Sequence, residues 1–442
     1  MMKRWCCLFA VLSLCLPLET QAETFKTEEF FLDNGLQVVV IENHKAPIIK
    51  QMLFYKAGAV DEAPGKGGIA HLLEHLMFRG TAKVRGQKLN RVLEENGAES
   101  NAFTSQDVTA YHQFLDISRL ELAMFLEADR MQGLEISEKD FATERDIVFQ
   151  ERKQRVDNNP AARFYETLNG TLWQEHPYGR PVTGYDREIK ALERQDAVDF
   201  YHTYYAPNNA VLVLSGDIDK AAAQRLAQKY YGHLRSSQIK SVEFAELPPF
   251  YKAKVEMSLP EVRLGRLVKL FAVSSFAIKP EEAYVLEVLA EYLAGDENAP
   301  LYQELVLRRK KALAVNAGYN GLARSYGTFS LSVVPAGLPD DAFVEAVDRA
   351  WRKALEDLDE EKLERVKRKM LADLVYLKDN PESLAQLAGY MAATGTSLDV
   401  LRNYAAGIEQ VSADEVKKTA EELWRQAPQA TGILYPEEKN NG

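Results

Sequence analysis

Two histidines and a glutamate stand close together in Gly67-Gly68-Ile69-Ala70-His71-Leu72-Leu73-Glu74-His75-Leu76-Met77-Phe78. On a helix, Glu74 falls at about −60° and His75 at about +40° from His71, so the three polar side chains share one face and Leu72, Leu73 and Leu76 cover the rest. Two imidazoles one turn apart can grip a Zn²⁺ at about 2.0–2.1 Å, leaving the carboxylate beside them to take a proton from water at the metal. The order H-x-x-E-H is the reverse of the commoner H-E-x-x-H. With only seven histidines in the chain, chance seldom sets two of them at this spacing around a Glu. The neighbouring Pro64-Gly65-Lys66-Gly67-Gly68 is not a phosphate loop, because no Ser or Thr follows the Lys and the upstream Gly is misplaced.

A catalytic zinc needs a third protein ligand and one open position. Residues 137–156 read as a helix, with Ser137 and Asp140 resembling a capping box at its start. Glu144 and Glu151 lie seven residues apart on it, two turns, and therefore on one face. Either is a candidate ligand by this pattern alone. Asn101-Ala102-Phe103-Thr104 reads as a short strand whose backbone can pair with an extended peptide, or as an ordinary interior strand with a structural Asn.

These side chains need a folded frame, and the composition supplies one. The 442 residues are 46% hydrophobic and 27% charged with 25 Gly and 17 Pro, which excludes disordered, collagenous and low-complexity chains and suits two domains. Lys and Arg number 54 against 65 Asp and Glu, a net charge of −11, so a phosphate backbone is repelled and nucleic acid is excluded as the expected partner. Residues 1–22 carry Lys3 and Arg4, then an apolar run from Trp5 to Leu18, and end in Thr20-Gln21-Ala22, the pattern of a secretory signal peptide. That run is shorter than a bilayer span and no later segment qualifies, so no transmembrane helix is expected. A lipoprotein reading through Cys15 is opposed by the bulky Leu14 before it. All three cysteines, Cys6, Cys7 and Cys15, lie in this segment. The remainder can form no disulfide and offers no thiolate ligand, which suits a bacterial periplasm.

Runs at residues 35–42, 48–55, 109–117 and 210–218 predict strands with helical stretches between them, making the first half α+β. The same order then returns. Val156-Asp-Asn-Asn-Pro160 follows a long charged helix, as does Leu377-Lys-Asp-Asn-Pro381; residues 69–80 correspond to a stretch ending Leu293-Ala294-Gly295, and the helix from Leu192 to one from Val411. Offsets of about 215 to 221 residues imply a duplicated domain with small insertions. Residues 236–250, with Pro248-Pro249, have linker composition, although Val242, Phe244 and Leu247 are expected to pack. Sliding by these offsets carries His71, Glu74 and His75 onto Leu286, Leu289 and Ala290, and Glu151 onto Ala372. All seven histidines precede the linker, so the second half is not expected to bind zinc. His112, His176, His202 and His233 have no paired spacing and are expected to be structural or solvated.

Three runs, from Gly67 to Thr81, from Asn96 to Thr104 and Glu144-Arg-Asp-Ile-Val-Phe-Gln-Glu151, resemble the pitrilysin/insulinase-like zinc peptidases, or inverzincins, in their short bacterial, processing-peptidase-like form. The runs keep that family's order and spacing, and the resemblance covers essentially the whole chain beyond residue 22. It implies that Glu151 is the third ligand, beside His71 and His75. It also implies that Glu144 is a second acidic position close to the metal, counted with Glu74 among the catalytic residues, and that Asn101 and Ala102 hold the substrate near the scissile bond. Little in that edge reads side chains, so broad specificity is expected. The chain departs from the family at one point. Members that perform the whole reaction usually carry an Arg and, seven residues later, a Tyr in the second half to polarise the substrate carbonyl. Here the Arg position matches Arg308 but the Tyr position is Val315, leaving Tyr319 or Tyr326 nearby, or another chain, to supply the group.

The expected protein is α+β, with two homologous domains each built of a mainly antiparallel sheet packed with helices. Its divisions are a signal peptide at 1–22, a catalytic zinc-binding domain at 23–235, a linker at 236–250 and a zinc-free homologous domain at 251–442. The expected function is an exported zinc metalloendopeptidase with one Zn²⁺ per chain that cleaves short or unfolded peptides. It is expected to act as a dimer, possibly with a homologous zinc-free subunit, and to use Arg308 and Tyr319 in substrate binding if it acts alone. The alternative is a non-catalytic zinc-bearing scaffold or chaperone-like subunit, against which the intact Glu74 argues, because retaining zinc does not require a base.

Overall fold

Apolar and β-branched runs fold as two sheets in the computed structural model, which describes residues 24–436 except 87, 245 and 247–249. The signal peptide expected at 1–22, and Leu247 with Pro248-Pro249, lie outside the described residues. The first sheet contains β1 (Glu28–Phe31), β2 (Gln37–Glu42), β3 (Ile48–Tyr55), β4 (Glu99–Thr104), β5 (Thr109–Asp116) and β6 (Ala210–Gly216) in the order β1-β2-β6-β3-β5-β4. The second contains β7 (Lys252–Leu259), β8 (Arg266–Val273), β9 (Ala312–Asn320), β10 (Gly327–Pro335) and β11 (Gln429–Pro436) in the order β7-β11-β8-β10-β9. Without β1 the two orders are the same, and in each sheet the last strand enters between the first two, parallel to one neighbour and antiparallel to the other. All other pairs are antiparallel. The faint repeat in the sequence is thus a repeat of topology. Strand β5 stops at Asp116, one residue before the expected end, because its carboxylate accepts the backbone N–H of Ser118 at 2.9 Å and starts a 3₁₀ turn.

Both faces of the first sheet are covered, which explains why its strands read as nearly continuous apolar runs. Val38, Val40, Leu53, Tyr55, Leu212 and Leu214 point into a core shared with helices of the first half. Their sequence neighbours Val39, Met52, Phe54, Val211 and Val213 point the other way, into a core continuous with the second half. The helices that matter to the site are α1 (Ile69–Leu76), α2 (Glu138–Arg152), α3 (Pro160–Trp173), α4 (Pro280–Ala294), α5 (Glu360–Lys378) and α6 (Pro381–Thr394).

The repeated Asn-Pro steps open the two helices that cross between halves. Asn159 Oδ1 caps α3 by accepting from Ala162 N at 3.2 Å, and Asn380 Oδ1 caps α6 by accepting from Ser383 N at 3.1 Å, with Pro in the first turn of each. Helix α3 belongs to the first half by sequence but packs on β7, β8 and β11, where Phe164, Leu168 and Leu172 join Val268, Leu270 and Leu434. Helix α6 reciprocates by packing on β2, β3 and β6. Each contact relies on a missing side chain: a Cβ on Gly389 of α6 would overlap the Phe54 ring, and one on Gly432 of β11 would meet Phe164.

A buried charge cluster joins the halves a second time. Arg324, in the β9–β10 loop, reaches Asp61 Oδ1 at 3.2 Å, Asp107 Oδ1 at 3.1 Å and the Lys56 carbonyl at 3.5 Å. Tyr178 donates to Asp107 Oδ2 at 2.8 Å and accepts from Ser325 N at 3.0 Å. Removing the guanidinium strands two buried carboxylates, a loss typically worth about 3–5 kcal/mol. Arg324→Ala is therefore expected to lower the midpoint of thermal unfolding substantially, with Arg324→Lys between it and wild type. Calorimetry showing an unchanged midpoint for Arg324→Ala would mean that this cluster does not hold the halves together.

Candidate metal centre

Helix α1 starts at a residue few side chains tolerate. Gly68 takes φ +89° at the N-cap and packs so closely on the Thr183 carbonyl that a Cβ would clash. The first N–H groups of the helix are satisfied by a neighbouring carboxylate, because Glu62 Oε1 accepts from Gly68 N and Ala70 N at 3.0 Å each. Burial pushes Glu62 up to about 8, against these hydrogen bonds. Ile69, Ala70, Leu72, Leu73 and Leu76 are buried, and α1 is clamped against α2 and β4. The polar face predicted for His71, Glu74 and His75 is thereby turned to the gap between these elements.

Across that gap, α2 is capped by Ser137 Oγ, which accepts from Asp140 N at 3.0 Å. The helix ends at Arg152, and residues 153–157 widen into a π turn where the sequence predicted continuous helix to 156. Its last turn places Glu151 Oε2 at 3.6 Å from His71 Nε2 and 3.5 Å from His75 Nε2. The ligand atoms of His71, His75 and Glu151 lie within 4.8 Å of one another, the one such group of His, Cys, Asp and Glu among the described residues. Two ligands on a tetrahedral zinc at about 2.0–2.1 Å are about 3.4 Å apart, close to both distances here.

The chemistry of the three groups fits a cation. Glu151 Oε2 is buried without a hydrogen-bond partner, while Arg155 holds Oε1. Burial, with the His75 ring and Arg155 nearby, drives His71 down to about 3, so its imidazole is neutral. Lone pairs facing an unpartnered carboxylate oxygen repel unless a positive ion lies between them, and a zinc ion would supply that charge.

Glu144 occupies a different place from Glu151 although both lie on one helix. Its Oε2 meets His75 Nδ1 at 3.0 Å, and its Oε1 takes a forked contact from Arg79. With Nδ1–H donating to Glu144, Nε2 of His75 keeps its lone pair for the metal side. Burial raises both groups' neutral forms, but the mutual hydrogen bond, with Arg79 on Glu144, outweighs it: Glu144 is held below the ordinary carboxylate range and His75 above the ordinary imidazole range. Glu144, grouped with Glu74 in the sequence, thus stands behind His75, on the side of the ring away from Nε2.

Glu74 stands outside the converging group. Its Oε2 accepts the hydroxyl of Thr104, the last residue of β4. Burial raises the Glu74 carboxyl above the ordinary carboxylate range, against that hydrogen bond. Strand β4 is the outer strand of its sheet, and among the described residues it pairs only with β5, leaving its other edge without a strand. Asn101 on it is exposed and accepts the Ala102 N–H at 2.9 Å, and Ala102 is half-buried.

Arg308 and Tyr319 are not brought to this cluster by any hydrogen bond or ion pair among the described residues. Arg308 is exposed and lies 3.6 Å from Glu304. Tyr319 is tied down, donating its hydroxyl to the Ser274 carbonyl at 2.6 Å with its ring beside Phe276, so the role expected of it in substrate binding has no free hydroxyl behind it. Val315 is buried in β9 opposite Val333. At the duplicated position, Leu286, Leu289 and Ala290 are buried core residues of α4. His176 is structural, accepting Tyr178 N at 3.2 Å and stacking on Phe244 of the linker. Arg79, Thr104 and Glu62 were not singled out in the sequence. The first two lie inside the quoted runs, but only the fold shows what they touch.

A duplicated α+β fold with a partly buried His–His–Glu cluster in its first half, the one such cluster among the described residues, points to the zinc-peptidase class. Residues 37–186 match the family described as Insulinase (Peptidase family M16), and residues 191–370 match the Peptidase M16 inactive domain. The chain belongs to this insulinase/pitrilysin-like peptidase family. It is 28% identical to the zinc protease PqqE of Helicobacter pylori, over 98% of this chain and 99% of that one. It is 25% identical to the mitochondrial-processing peptidase subunit beta of Mus musculus, over 94% and 85%. A crystal structure of a protease from Helicobacter pylori superposes with a TM-score of 0.87 at 25% identity, covering 93% of this chain and 100% of that one. The periplasmic protease PqqL of Escherichia coli superposes with a TM-score of 0.78 at 17% identity, and this chain spans 48% of its length. No helix among the described residues is long and apolar enough to cross a membrane.

Proposed function

We propose that this chain is an exported zinc endopeptidase that hydrolyses short or unfolded peptides. The observation that carries the reading is the hydrogen bond from Thr104 to Glu74, which ties a carboxylate beside the metal ligands, yet not one of them, to the strand edge that can take a peptide. His71, His75 and Glu151 would hold the zinc, which when bound supplies a Lewis acid for the peptide carbonyl and acidifies water. Substrate backbone pairs with β4. Glu74 accepts a proton from water as its oxygen adds to the carbonyl carbon, then delivers that proton to the amide nitrogen as the C–N bond breaks. The products are a carboxylate and an amine. Residues 1–22 support export, and the periplasm is the proposed location.

Pairing with a second, homologous unit is part of this proposal. The named relatives include a subunit called beta, and this chain matches about half of PqqL. Val315 is buried and the Tyr319 hydroxyl is engaged, so in this reading the carbonyl-polarising pair comes from a zinc-free partner, with Tyr326 as the alternative within the chain. The test is hydrolysis of quenched peptides by the purified chain with and without its homologue. Chelator is expected to abolish turnover and zinc to restore it, and the homologue to raise it roughly 10²–10³-fold. Tyr319→Phe is expected to change turnover less than about twofold. Full activity of the chain alone, lost in Tyr319→Phe, would eliminate the heterodimer.

A further inference from the structure

At the end of β4 the chain forms a cavity of 520 Å³ between the two halves. Trp173, Tyr178, Tyr326 and Tyr390 line it, with Gln106, Asn169 and Gln386 between the rings. Its one charged group, Asp107, is engaged by Arg324, which it shares with Asp61, and by the Tyr178 hydroxyl. Gln106 is held in place by its Nε2, which donates to the Arg180 carbonyl at 2.8 Å. The lining is thus mainly aromatic, with amides between the rings and its one carboxylate engaged.

The cavity is continuous with the edge strand. Side chains of a strand alternate between faces: Thr104 turns to Glu74, whereas Phe103 turns to the opposite face and stacks on Tyr390 at 5.7 Å, with 6° between the rings. A peptide added alongside β4 alternates in the same way. Its side chains on the Glu74 face meet the reacting groups, and those on the Phe103 face run over Tyr390 and then, past the strand's end at Ser105 and Gln106, into the cavity. With the bond to be cut beside Asn101 and Ala102, the residue that arrives there is about three to five positions from it.

We propose that this cavity is a substrate subsite selecting an aromatic side chain, Phe, Tyr or Trp, at one such position. The proposal rests on the peptidase reading and narrows the broad specificity expected from the edge strand alone. Gln386 is exposed on α6, so a charge placed there alters the cavity without disturbing the core. The probes are ten-residue peptides varied at each position to five residues either side of the bond. Their cleavage by the zinc-loaded enzyme together with its homologue is followed by mass spectrometry, and their binding to the Glu74→Gln protein by calorimetry. Wild type is expected to prefer Phe, Tyr or Trp at one position about three to five residues from the bond. Gln386→Glu is expected to raise the ratio of Lys or Arg to Tyr at that position about 10-fold, and Gln386→Lys to raise Asp or Glu instead. Cleavage with neither the preference nor the swaps overturns the subsite and leaves the peptidase reading standing. Binding with the preference and the swaps but no cleavage overturns the peptidase reading and leaves the subsite. Neither binding nor cleavage overturns both.

Discussion

Glu74→Gln is expected to lower kcat at least about 10²-fold while the purified protein keeps about one zinc per chain. The amide is isosteric with the carboxylate and still accepts the Thr104 hydroxyl, so the geometry of α1 against β4 survives. His71, His75 and Glu151 converge without Glu74, which is why metal content should not change. What disappears is basicity. Burial raises the Glu74 carboxyl above the ordinary carboxylate range, and a base raised in this way takes a proton more readily than a solvated one. Metal analysis alongside steady-state kinetics decides the matter: near wild-type turnover in a zinc-containing Glu74→Gln protein would assign the proton to another group.

The helix carrying the two histidines was legible because period and spacing are local properties. A leucine at each flanking position buries one face, and a fixed 100° step per residue presents the other. Residues 137–156 were equally legible as a helix, but not the division of labour between its two glutamates. Seven residues apart, Glu144 and Glu151 share a face, and nothing in the helix itself says which end meets the histidines from the Nε2 side. That is settled by the angle at which α1 lies on α2, and by Arg79, whose forked contact draws Glu144 behind His75. From the helix alone, either glutamate can be the ligand.

What was not legible is pairing over long separations. Arg324 meets Asp61 across 263 positions, and neither residue stands in a recognisable pattern. The two Asn-Pro steps were visible as repeat markers, yet an amphipathic helix declares only that it must cover something, not which sheet. The exchange of α3 and α6 between sheets is written in Gly389 and Gly432, whose role emerges only when the Phe54 and Phe164 rings are seen lying on them. The same exchange creates the cavity at the end of β4, since α3 contributes Trp173 to it and α6 contributes Tyr390.

Glu151→Gln is expected to purify largely without zinc, whereas Glu144→Gln should keep the metal with affinity weakened about 10–100-fold. Glu151 Oε2 is the buried atom that both Nε2 nitrogens face, and an amide there brings no negative charge to offset the ion. Glu144 acts one step back. Its carboxylate orients His75 through Nδ1 and is itself held by Arg79, so the amide introduced by Glu144→Gln can still accept from Nδ1 while losing the charge that strengthens the imidazole as a ligand. Competition titrations against a chelator, at a pH where neither variant unfolds, separate the two. Zinc retained in Glu151→Gln and lost in Glu144→Gln would place the third ligand two helical turns earlier, and with it reverse the roles given to both glutamates.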